Sequence, residues 1–186
     1  MTSASPSVTL EPVREEELPA FAKALQAAFA VAVAERFGCR APMPPDEDVW
    51  RSFHAEGAEI RNILANGQRV GGAVLVINPQ TRRNSLDLFF IAPENHGRGL
   101  GRAAWEAIER SHPETEVWVT ATPYFEQRNI HFYVNICGFH IVEFFNPHHP
   151  DLLHPPVDSS GKSLPGLDAY FLFEKDMRAK CVKKAK

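Results

Sequence analysis

"FFIAPENHGRGLGRAAWEAIER", residues Phe89 to Arg110, decides how the rest of the chain is read. An apolar run ends at Pro93, glycines alternate at Gly97, Gly99 and Gly101, and an amphipathic pattern then begins. Leu100, Ala103, Ala104, Ala107 and Ile108 fall on one face at helical spacing. The order is strand, glycine turn, helix. Such a turn gathers backbone N–H groups at a helix N-terminus, whose partial positive charge favours a phosphate.

Which phosphate the turn holds depends on its side chains. A P-loop needs Gly-Lys-Ser/Thr, but Gly101 is followed by Arg102 and Ala103. Gly99 to Ala104 fits the GxGxxA of a dinucleotide-binding fold. Yet five residues separate Pro93 from Gly99, and the next strand, "VWVTATP", ends without an acidic residue to hold a ribose. An NAD-binding module would rest on that fingerprint alone.

The third reading fits best. His96-Gly97-Arg98-Gly99-Leu100-Gly101 resembles the Q/R-x-x-G-x-G/A motif of the GNAT family of acetyl-CoA-dependent N-acyltransferases, departing from it at His96. Downstream, "RNIHFYVNICGFHIVEF" resembles the family's FYxxxGF segment: Phe132-Tyr133, then Cys137-Gly138-Phe139, slightly spread. It stands one strand and one helix after the glycine turn, as in the family, and the upstream strand order agrees. The resemblance covers nearly the whole chain.

It implies a mixed α/β (α+β) fold, with a mostly antiparallel central sheet, a splayed strand pair and flanking helices. It also implies acetyl-CoA as cosubstrate, its pyrophosphate on the amides of the turn, with Arg98 and Arg102 adding charge-assisted bonds. "LFFIAP" would splay from "VWVTATP" and take the pantetheine arm as an extra strand, pairing with the backbone of Phe89 and Ile91. The Ile91 N–H is the candidate for polarising the thioester carbonyl. Tyr133 matches the tyrosine that in many family members protonates the departing thiolate. A phenol of pKa about 10 suits a thiolate of about 8.5; the alternative is a packed aromatic beside Ile130 and Val134. Asn129 would cap its helix or bond the pantetheine amide.

An alkylammonium acceptor, with pKa near 10.4, must lose a proton before it attacks. Strand alternation from Ser85 to Ile91 puts Asp87 on the side of Ser85, Phe89 and Ile91. Asp87 is the candidate base, against the plainer reading of a solvated carboxylate. The acceptor is a small-molecule or peptide amine that the sequence does not name. A non-catalytic acyl-CoA-binding module is the rival reading, with His96 in its favour and Tyr133 against it.

The 186-residue sequence as a whole sets bounds. Its 23% charged and 44% hydrophobic residues suit a single globular domain over 1–186, with frayed tails at about 1–6 and 179–186. A net charge of −3 gives no reason to expect nucleic acid or an anionic membrane. The first residues lack the basic start and apolar run of a secretory signal, and no stretch reaches membrane-spanning length, so the reading is a cytoplasmic protein. Cys39, Cys137 and Cys181 form no disulfide framework and no CxxC site.

Elsewhere the pattern reads as follows. "SVTLEPV" is a strand, a helix starts near "REEELPAF", and "CRAPMPPDED" is a proline-rich loop. Asn66-Gly67 joins a β-hairpin. Ile130, Tyr133, Val134 and Cys137 mark a helix over 127–137 that Gly138 ends, and "FHIVEFF" and "DAYFLFEKDM" are the last strands. Their exposed edges leave a homodimer open. Between them, Asn146 to Gly166 is a long polar loop placed near the acceptor site. Its His148, His149 and His154 lack the fixed spacing of a zinc site, so no metal is expected.

Overall fold

The hairpin signal at Asn66-Gly67 organises the first half of the computed structural model, which describes residues 7–38, 44–152 and 169–178. Both turn residues take positive φ, 50° and 77°, as a two-residue type I′ connection requires. It joins strands β2 (Ala58–Ala65) and β3 (Gln68–Val76), with Ala65 opposite Gln68. Strand β1 (Val8–Pro12) lies antiparallel on the far side of β2, and β4 (Arg83–Ile91) lies antiparallel to β3. These strands belong to the first of two compact units, Met1–Thr115 and Glu116–Lys186.

Two helices cover one face of this sheet: α1 (Leu18–Phe37) and α2 (Asp46–Phe53). A short 3-10 turn at Glu15–Glu17 leads into α1. The proline-rich loop expected from sequence extends into the segment where α2 in fact begins. Asp46, Glu47 and Asp48 occupy its first turn, where carboxylates favour the positive helix end. Phe21, Leu25, Val49, Phe53, Val74 and Phe90 form the core between helices and sheet. The Phe21 ring meets Phe90 edge-on at 5.5 Å. Only glycine fits at Gly72 below it, because a Cβ there would lie 2.3 Å from the Phe21 ring. Helix α3 (Leu100–Ser111) lies against β1 and β4 and buries the expected face, with Trp105 added.

Strand β4 departs from simple alternation. Leu86 stands opposite Leu75 and Leu88 opposite Val74, which leaves Asp87 as the extra residue of a β-bulge. Leu88 packs with Val74 against the α1 and α2 core, whereas Leu86 pairs with the residue next to Val74 on the other face. Two leucines two positions apart therefore face opposite ways. The expected alternation fails at this point: Ser85 shares a face with Leu88 and Phe90, not with Phe89 and Ile91.

In the second unit, β7 (Tyr170–Asp176) runs antiparallel between β5 (Val117–Pro123) and β6 (His140–Phe145). Helix α4 (Gln127–His131) continues into a π-helical segment, Phe132–Cys137, which Gly138 ends at φ 77°. The Gly138 N–H bonds back to the Tyr133 carbonyl, a five-residue step. That wider turn accommodates the extra residue noticed between Tyr133 and Gly138. Within both units every strand pair is antiparallel. No helix among the described residues is long and apolar enough to cross a membrane.

Candidate active site

The glycine turn is built from the end of β4. The Ala92 N–H donates to the Val70 carbonyl at 2.8 Å, which makes Ile91 and Gly71 a non-hydrogen-bonded pair of the ladder. Phe89, two residues earlier and opposite Ala73, has the same orientation. The backbone N–H and C=O groups of Phe89 and Ile91 thus point away from β3. This is the geometry a strand needs to receive an extended ligand.

After Ile91 the chain makes a 3-10 turn, Pro93–Asn95, and reaches His96. The His96 Nε2 lies 2.7 Å from the Ile91 carbonyl oxygen. A carbonyl only accepts, so Nε2 carries the proton in this bond. Gly97 and Gly99 then take φ 74° and 72°, and Gly99 is the N-cap of α3. A Cβ on either would meet nothing within 4 Å. Glycine is required here by backbone conformation, not by crowding, and the space above the turn is open. By helix geometry the N–H groups of Leu100, Gly101 and Arg102 lack intrahelical acceptors and face that space. The turn fits a pyrophosphate.

The side chains around it divide into anchors and exposed cations. Leu100 is only 4% exposed, so its side chain belongs to the core and only its amide is offered to a ligand. Arg98 donates to Asn95 Oδ1 at 3.0 Å, and Arg102 pairs with Glu106 at 3.1 Å. Both guanidinium groups are on the surface of the turn.

The two catalytic candidates have different surroundings. Asp87 is exposed at the β4 bulge, and its Oδ1 accepts a hydrogen bond from the Ser85 hydroxyl. Tyr133 is buried in the second unit among Phe132, Phe139 and Phe173, with ring separations of 5.5, 5.7 and 5.6 Å. Its hydroxyl is hydrogen-bonded to the Thr120 side chain. Burial pushes the phenol far above the usual tyrosine range; the Thr120 bond opposes this, while Cys137 and Glu126 reinforce it. The close match to a thiolate expected from an unperturbed phenol does not hold in this environment. A thiolate brought into the same dry surroundings would be raised as well.

Asn129 is the third residue of α4 and half-buried, and the N-cap is Glu126; the capping role expected for Asn129 is not the one it has. Glu126 has no place among the residues expected from sequence, although it stands seven residues before Tyr133. In the polar loop, His149 Nε2 lies 2.8 Å from Glu143, and the ring stacks on Phe145. His154 lies outside the described residues. Among the described residues no group of three His, Cys, Asp or Glu side chains could hold a metal.

With the geometry in place, comparison with known proteins is direct. Residues 22–139 match the model of the Acetyltransferase (GNAT) family. The chain is 52% identical over 182 residues to the uncharacterized protein YrkN of Bacillus subtilis (strain 168), covering 96% of this chain and 98% of that one. Among solved structures, AAC(6')-Ib in complex with ribostamycin and coenzyme A superposes with a TM-score of 0.65 at 17% identity, over 97% of this chain and 99% of that one. The ribosomal-protein-S18-alanine N-acetyltransferase from Escherichia coli gives 0.64 at 16% identity, over 92% and 94%. At those identities the structures speak for the fold, a mixed α/β arrangement of mostly antiparallel strands flanked by helices. The family match spans more than half of the sequence, and on it the chain belongs to the GNAT acetyltransferase family.

Proposed function

We propose that this protein transfers an acetyl group from acetyl-CoA to a primary amine, by direct attack within a ternary complex. The observation that carries this reading is the join between β4 and the glycine turn. Outward-pointing backbone groups at Phe89 and Ile91 lead directly into two positive-φ glycines at the N-terminus of a twelve-residue helix. A pantetheine arm and a pyrophosphate need those two features in that order.

In the reaction, the Ile91 N–H bonds the thioester oxygen and stabilises the charge that develops there as the amine attacks. Gly97 to Arg102 hold the pyrophosphate through backbone amides, with Arg98 and Arg102 supplying positive charge. Asn129 bonds the pantetheine amide. Tyr133 gives its proton to the departing sulfur. The acceptor is an amine of a small molecule or a peptide; the two similar structures named above are called after an aminoglycoside and a ribosomal-protein alanine respectively.

Calorimetric titration with acetyl-CoA, with NAD as control, tests the cofactor. Binding of acetyl-CoA alone is expected. Thiol release is then followed over a panel of amines. Acetyl-CoA binding without turnover of any amine would favour a non-catalytic acyl-CoA-binding module instead.

A further inference from the structure

The two arginines of the glycine turn hold their charge in different ways. Arg98 stands between Gly97 and Gly99, and its Nη1 donates to Asn95 Oδ1 at 3.0 Å. That partner is a neutral amide. Among the described residues Arg98 pairs with no carboxylate. Arg102 donates through Nε to Glu106 Oε1 at 3.1 Å, one turn further along α3. That partner is a carboxylate. Their side chains are 67% and 44% exposed, so solvent weakens the pair without removing the acid. A phosphate oxygen approaching Arg98 meets an undiminished positive charge. One approaching Arg102 competes with Glu106 for the guanidinium and is repelled by it.

Asn95 is held in turn by its own backbone. It closes the 3-10 turn Pro93–Asn95, is half-buried, and its N–H donates to the Ala92 carbonyl at 2.8 Å. One bond to Asn95 occupies a single donor of the Arg98 fork and leaves the others for a ligand. A long side chain ordered beforehand also loses less freedom on binding.

We infer that Arg98, positioned by Asn95, is the side chain that holds the pyrophosphate, whereas Glu106 partly neutralises Arg102 and so limits the affinity for acetyl-CoA. The inference rests on the acetyltransferase reading above. It gives Glu106 a use in that reaction. The pyrophosphate is bound alike in acetyl-CoA, in the transition state and in the CoA that leaves, so a stronger hold on it would add nothing to the chemical step. It would slow the release of CoA.

The test is calorimetric titration with acetyl-CoA and with acetyl-dephospho-CoA, which lacks only the 3′-phosphate, at about 50 and 200 mM salt. Glu106→Gln is expected to bind both ligands about two- to fivefold more tightly at the lower salt, the range of one exposed charge pair. The gain should shrink at the higher salt. Arg98→Ala should weaken both about tenfold or more, and Arg102→Ala about twofold. Asn95→Ala should weaken both about two- to tenfold. Added to Arg98→Ala, it should cost nothing further, because Asn95 acts through Arg98. Unchanged or weaker binding by Glu106→Gln overturns the inference, as does an Asn95→Ala loss that persists in full once Arg98 is alanine. Effects seen with acetyl-CoA and absent with acetyl-dephospho-CoA would assign the arginines to the 3′-phosphate and overturn it as well. If the wild type binds neither ligand, the acetyltransferase reading fails and takes this inference with it. Binding by the wild type with indistinguishable variants removes only the roles of Asn95 and Glu106.

Discussion

His96 Nε2 sits 2.7 Å from the carbonyl oxygen of Ile91, so one side chain ties the glycine turn back to the last residue of β4. The same residue, Ile91, offers its N–H to the thioester in the proposed reaction. His96, the departure from the family motif, thereby fixes the strand end from which the turn springs. His96→Ala is expected to loosen this corner and weaken acetyl-CoA binding two- to tenfold, in line with about 0.5–1.5 kcal/mol for one hydrogen bond. His96→Gln keeps an N–H donor and should lose much less. Calorimetry on the two variants compares them directly; equal losses would mean that the bond to Ile91 does not matter.

The glycines of the first unit serve two distinct purposes, and alanine separates them. At Gly97 and Gly99 an added Cβ meets nothing, but the positive φ disfavours it by about 1–2 kcal/mol. At Gly72 the conformation is ordinary and the obstacle is the buried Phe21 ring. Gly72→Ala should cost about 1–3 kcal/mol by overpacking and leave acetyl-CoA affinity intact. Gly97→Ala and Gly99→Ala should cost both stability and affinity. Urea unfolding and calorimetry on the three variants would show the contrast.

Tyr133→Phe retains the ring that packs on Phe139 and Phe173 and removes only the hydroxyl. Stability should fall by about 1 kcal/mol, the value of the bond to Thr120. Turnover should fall about 10²-fold or more if the phenol protonates the sulfur, with acetyl-CoA affinity nearly unchanged. Undiminished turnover would leave Tyr133 as core packing alone.

The features legible in the sequence are those set by local backbone chemistry. Asn66-Gly67 specifies its hairpin, and the spacing from Leu100 to Ile108 specifies the buried face of α3, because each depends on a few adjacent residues. The β4 bulge is not legible. Which residue is extra depends on the register with β3, and this is decided by Leu75, Leu86, Val74 and Leu88 finding their packing partners. That one displacement changes the face assigned to Ser85 and with it the grounds for choosing Asp87. Helix α2 is hidden by the prolines before it, although its acidic first turn is a readable start signal.

One ion cluster makes the fold sensitive to acid. Glu59 on β2 accepts from Arg61 at 2.6 Å and lies 3.2 Å from His112 Nε2, just beyond the end of α3. Burial alone would raise the Glu59 carboxyl, but the Arg61 and His112 interactions outweigh it and hold the group below its usual value. A depressed carboxylate contributes stability that is fully present above the unfolded value of about 4.3 and is lost as pH falls through the lower folded value. The group is partly exposed, so solvent and salt reduce the effect. Glu59→Gln should therefore lower the urea midpoint at pH 7 and narrow its gap to wild type as the pH drops below about 4. Added salt should narrow the gap at neutral pH as well. Midpoints that stay equally far apart from neutral pH to acid would show that the contribution of Glu59 comes from packing and not from its charge.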